Sequence, residues 1–133
     1  MLDNLEVITE SLFERKEDNL QKIEEYEQIL DELIQQKESC LYTIALIDKA
    51  IEYYCELIDS YKFRLLHMNE LKKMENEMDI LLNESLIESN IYQHTTTEME
   101  NIYKKQDYLV MKNMEIDGEL SEIAKRNNKV KGK

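Results

Sequence analysis

The stretch IEEYEQILDELIQQKESCLYTIALIDKAIEYYCELIDSYKFRLLHM, residues 23–68, decides the fold. Its apolar side chains return every seven residues at two positions. One position holds Ile23, Leu30, Lys37, Ile44, Ile51, Ile58 and Leu65; the other holds Tyr26, Leu33, Cys40, Ile47, Tyr54, Tyr61 and Met68. Lys37 is the only charged member. Steps of three and four residues keep such side chains on one stripe of an α-helix, so the pattern predicts a helix whose seam packs against another helix. With no Pro and two Gly in 133 residues, the chain has little from which to make turns or strands, and helix is the default elsewhere too.

Toward the C-terminus a second repeat runs through Met99, Ile102, Leu109, Ile116, Leu120, Ile123 and Val130, with Gln106, Asn113 and Asn127 among its core positions. Between the repeats the phase slips. Met68 is followed by Leu71, Met74, Met78 and Leu81, a step of three where four is due, which marks a local overwinding or a chain reversal. His67, Met68, Asn69 and Glu70 offer the reversal point, with Asn69 as a helix cap. A further break is expected at residues 89–97, where Thr95 with Glu98 and Thr97 with Glu100 fit capping boxes. The charged residues 13–19 read as a kink or a solvated face.

These signals predict an all-α chain forming one domain over 1–133: a long antiparallel helical hairpin, coiled-coil-like, completed by oligomerisation. Its first helix is expected at 3–67, return helices at 70–93 and 97–127, and a basic disordered tail at 128–133. At ~1.5 Å per residue each arm would be on the order of 90 Å long. The alternative is a compact four-helix bundle with added breaks near 13–19 and 35–39.

Charge narrows the partners. The net charge is −12, and Lys125, Arg126, Lys129, Lys131 and Lys133 put five positive charges at the very end, leaving −17 on residues 1–124. A body so acidic repels nucleic acid and anionic lipid, and no stretch is long and apolar enough to span a membrane. The basic end suits the C-terminal pole of a helix dipole. The opening residues lack the basic-then-apolar pattern of a secretory leader, so a cytoplasmic location is expected. Cys40 and Cys55 sit in periodic apolar segments, as reduced, buried thiols do.

The most informative region for function is 40–66, which is apolar on more than its seam. Tyr42, Leu46, Tyr53 and Phe63 point away from the stripe, while Ala45, Ala50 and Leu57 widen it. A helix that is apolar nearly all round needs cover on both sides. A third helix of the same chain would supply it, or else a second copy or another protein, with Tyr42, Leu46, Tyr53, Leu57 and Phe63 as the contact. Lys37, at a core position, is a candidate for setting register, or its stem packs while its ammonium reaches out.

The patterns that all-helical enzymes use are not matched. Glu-x-x-His pairs of di-iron bundles are absent, since Arg64 stands three residues before His67 and Ile91 before His94. The separation of Arg64 and His67 is too short for the Arg and His pair of helical ribonucleases. The two glycines form no phosphate loop. The chain is therefore expected to be no enzyme, to need no cofactor or metal, and to work as a helical interaction module: an adaptor, chaperone or scaffold subunit. The alternative is an acidic inhibitor that fills a basic groove of a nucleic-acid-processing protein. No motif ties the chain to a family.

Overall fold

A computed structural model describes the backbone of residues 2–61 and 68–131, and the side chains of residues 4–60 and 68–128. Every described residue is helical. Helix α1 spans Leu2–Tyr61 and helix α2 spans Met68–Lys131. The two pack against each other along their seven-residue stripes, so the all-α hairpin is the observed architecture. Their residues fall into two compact units: Met1–Asp31 with Met99–Lys133, here unit 1, and Glu32–Glu98, here unit 2.

Four expectations change. First, the α1 stripe begins well before Ile23. Leu5, Thr9, Lys16 and Asn19 are half-buried and Leu12 is buried, all in phase with Ile23 and Tyr26, so residues 13–19 neither kink nor leave the seam. Helix continuity through residues 35–39 likewise removes the added breaks of the four-helix alternative.

Second, α2 carries one unbroken stripe: Leu71, Met74, Met78, Leu81, Ser85, Glu88, Tyr92, Thr95, Met99 and onward to Asn127, each buried or half-buried. The break expected at residues 89–97 does not occur. The hydroxyls that would cap a new helix instead donate backward within this one, Thr95 to the Ile91 carbonyl at 2.8 Å, Thr96 to Tyr92 at 2.9 Å and Thr97 to Gln93 at 3.1 Å. Such back-bonding removes the competition that makes threonine a helix starter. Thr95 falls on the seam and is 1% exposed.

Third, Met68 is exposed and precedes the stripe, and Asn69 lies inside α2, where Glu70 supplies the acid of the first turn. The proposed reversal residue His67 lies outside the described residues. Fourth, the C-terminal helix runs to Lys131, where a disordered tail was expected from 128.

In unit 1 the α1 and α2 segments run antiparallel. Lys16 pairs with Asp117 at 2.6 Å, the Asn19 amide donates to the Asn113 side-chain oxygen at 3.0 Å, and the Gln106 amide donates to the Ile23 carbonyl at 3.2 Å. Asn113 also donates to the Lys16 carbonyl at 3.4 Å. Leu12, Leu30, Met99 and Ile116 are the buried apolar members. Two of the polar interruptions of the C-terminal repeat, Gln106 and Asn113, thus make cross-helix bonds. In unit 2 the segments are also antiparallel, with Lys37 against Tyr92 and Tyr54 against Glu77. Leu33, Cys40, Ile47 and Ile58 form its buried line, all from α1.

Candidate docking surface

In unit 2 the residues singled out from the sequence split by their register. Tyr42 is 69% exposed, Tyr53 60% and Leu46 50%, whereas Leu57 is half-buried beside the seam. Phe63 lies outside the described residues. Leu46 and Tyr53 are seven residues apart on one outward line of α1, and Ala50 and Leu57, also seven apart, flank the seam on the same side. No third helix occurs among the described residues, so the expectation that the chain might cover this face with its own helix is not met there.

The contribution of α2 escaped the sequence reading. Ile80, Leu82, Leu86 and Ile87 are all largely exposed, while the seam of the same segment is filled by Ser85 and Glu88, both half-buried. The signal was available: Ile80 and Ile87 stand one heptad apart, off the stripe that Met78 and Leu81 define. It is masked because two seam positions of this segment are the polar Ser85 and Glu88.

Ile80 meets the off-seam side of α1, whereas Leu82 and Leu86 lie on the other flank of the α2 seam. One cavity of about 330 Å³ is lined by Ala50, Tyr54, Glu77, Ile80 and Leu81. A neighbouring one of about 320 Å³ is lined by Tyr53, Tyr54 and Leu57 of α1 with Glu70, Lys73, Met74 and Glu77 of α2. Together they mark a shallow, apolar-floored groove on one side of the helix pair. The Tyr53 and Tyr54 rings lie edge to face at 5.8 Å between centroids, a favourable aromatic arrangement. Tyr54 donates its hydroxyl to the Glu77 carboxylate, and this bond is the main reason its phenol stays protonated above the usual range. A larger cavity, about 690 Å³, lies in unit 1 between Leu5, Ile8 and Ile123, but Glu115, Glu119, Glu122 and Arg126 make its rim mixed in sign.

Lys37 is half-buried on the seam, its Nζ 5.1 Å from the centroid of the Tyr92 ring. A cation over an aromatic face satisfies a seam lysine without an acidic partner. The thiols diverge. Cys40 is buried as expected, and burial followed by its hydrogen bond to Glu88 pushes its pKa up. Cys55 is exposed, contrary to expectation, because it sits one position past Tyr54 on the flank of the stripe, with its Sγ 3.8 Å from Met78 Sδ.

His94 Nε2 lies 2.9 Å from a Glu98 carboxylate oxygen, one turn along α2 on the exposed side. Among the described residues no cluster of His, Cys, Asp and Glu has metal-binding geometry, and no helix is long and apolar enough to cross a membrane.

Against known proteins, the chain matches no family model, no curated protein and no solved structure. The groove therefore has to be read on its own chemistry.

Proposed function

We propose that the chain is a non-enzymatic helical interaction module, an adaptor, chaperone or scaffold subunit, which works by packing helices of a protein partner or a second copy against unit 2. One observation carries this reading. Between residues 78 and 92, α2 spends seam positions on Ser85 and Glu88 while Ile80, Leu82, Leu86 and Ile87 stand largely exposed. A helix serving only its one neighbour would place these residues the other way round, since each exposed Leu or Ile forgoes about 1.5–3 kcal/mol of burial. The arrangement suits a helix with more than one companion. Tyr42, Leu46 and Tyr53 add exposed apolar surface on α1, and tyrosines are common anchors of protein contacts.

The acidic-inhibitor reading draws on the exposed carboxylates of Glu10, Glu14, Glu17, Asp18, Glu24 and Glu25 in unit 1. Salt separates the two readings. Contacts made through carboxylates weaken steeply as ionic strength rises, whereas apolar helix packing does not.

The reading is tested with Tyr42→Glu combined with Tyr53→Glu, two exposed positions where the helices should tolerate charge. Mass by light scattering and recovery of the native partner from the source cells are measured alongside circular dichroism. The expected result is loss of self-association or partner recovery with helicity unchanged. Association that survives the pair of substitutions undiminished sinks the proposal, and so does global unfolding, which would place these rings in the chain's own core.

A further inference from the structure

The groove in unit 2 has a charge pattern as well as an apolar floor. Glu70 and Glu77 line it from α2, and the same helix line, bordering the seam, continues past the cavities at steps of seven residues through Glu84, Ile91 and Glu98. The corresponding α1 line, Thr43, Ala50 and Leu57, is uncharged. Lys73 is the only basic residue among those lining the two cavities. The groove thus combines apolar side chains, Leu57 and Ile80 among them, with carboxylates at heptad spacing that run along α2 between the two.

Resting on the docking function proposed above, we propose that this groove takes one amphipathic helix of a different protein, whose apolar stripe is flanked by Lys or Arg at seven-residue intervals. The dimensions suit a helix. The α2 lining from Glu70 to Leu81 spans 12 residues, or about 18 Å at ~1.5 Å per residue, enough to hold about three turns of a docked helix. Helix-in-groove recognition reads apolar anchors at three- and four-residue steps, which Ala50, Leu57, Ile80 and Ile87 are placed to meet. A second copy is the poorer occupant. It brings the same glutamate line on a chain of net charge −12, so self-docking sets like charges along the whole edge, whereas a basic flank replaces that repulsion with attraction.

The test uses the full chain and two synthetic 21-residue helices with one Leu/Ile stripe, flanked by Lys in the first and by Glu in the second. Fluorescence anisotropy reads binding, with mass and circular dichroism measured in parallel. The expected result is that the Lys peptide binds at least about tenfold more tightly than the Glu peptide and loses affinity severalfold as salt is raised. Ile80→Glu with Ile87→Glu removes that binding at unchanged helicity. Glu84→Lys weakens it severalfold, whereas Glu24→Lys, an equal charge change in unit 1, leaves it nearly intact. Equal binding of the two peptides, or equal effects of Glu84→Lys and Glu24→Lys, overturns the basic-helix assignment and leaves the docking function standing. The same holds if the chain dimerises and Ile80→Glu with Ile87→Glu returns it to a monomer. A monomer that binds neither peptide overturns both.

Discussion

The antiparallel pairs in the two units close the same kind of seam with opposite chemistry. In unit 1, polar side chains reach across: Asn19 to Asn113, Lys16 to Asp117, and Gln106 to the Ile23 backbone. In unit 2, α1 supplies a buried apolar line through Leu33, Cys40, Ile47 and Ile58, and α2 answers it in part with Ser85, Glu88 and Thr95. Apolar side chains tolerate sliding along a groove, but a buried amide that loses its partner costs about 1–3 kcal/mol. Within unit 1, polar bonds thus tie the seam to its own pairing. Unit 2 holds its apolar surplus outside the seam, where a neighbour can reach it.

The sharpest way to break this contrast is at the apolar seam of unit 2. Ile47→Ala should destabilise that unit by about 2–4 kcal/mol, the usual cost of truncating a buried Ile. Hydrogen exchange should show the loss concentrated among amides of residues 32–98. Equal loss of protection in unit 1 would mean that the two do not open separately.

Unit 1 answers to its asparagine pair. Asn113→Leu strands Asn19 and should cost about 1–3 kcal/mol, read by urea denaturation. Adding Asn19→Leu should restore or exceed the original stability, because an apolar pair has no unsatisfied amide. The gain should come with loss of a unique alignment, seen as a second set of cross-links between engineered cysteines. A double variant of single register would show that the pair contributes bonding and not alignment.

The smallest effect belongs to Lys37, the residue that sequence reading put forward as the register-setter. Lys37→Gln removes the cation from the Tyr92 ring and should cost only about 0.5–1 kcal/mol, the usual size of such a contact. It should not change the cross-linking pattern. A shift in alignment on this substitution would make Lys37 the register-setter of unit 2.

Much of the fold was legible because a heptad stripe can be read without knowing its partner. The stripe through Ile23, Leu30 and Ile44 announced α1, and the repeat from Met99 to Ile123 announced the end of α2. Legibility failed where a seam position is polar. Lys16, Asn19, Ser85 and Glu88 each lie in phase, yet by residue type they look like solvated surface. Thr95 to Thr97 misled for a related reason, since a hydroxyl that can cap a new helix can also bond back into an existing one. On the candidate site, the outward placement of Tyr42, Leu46 and Tyr53 followed from spacing alone, whereas the α2 half of the groove required the stripe to be traced through its polar members.

Periodicity by itself determined that this chain is helical and which apolar stripes its helices bury. That information is local, carried by residues three, four and seven apart. Only the tertiary structure decided which residues meet. Asn19 and Asn113 are 94 residues apart, and nothing in either neighbourhood names the other. Sliding one helix by a heptad preserves every local pattern and changes every partner. The groove that Leu57 and Ile80 help to line exists only because Tyr54 of α1 meets Glu77 of α2, a pairing that no local pattern specifies.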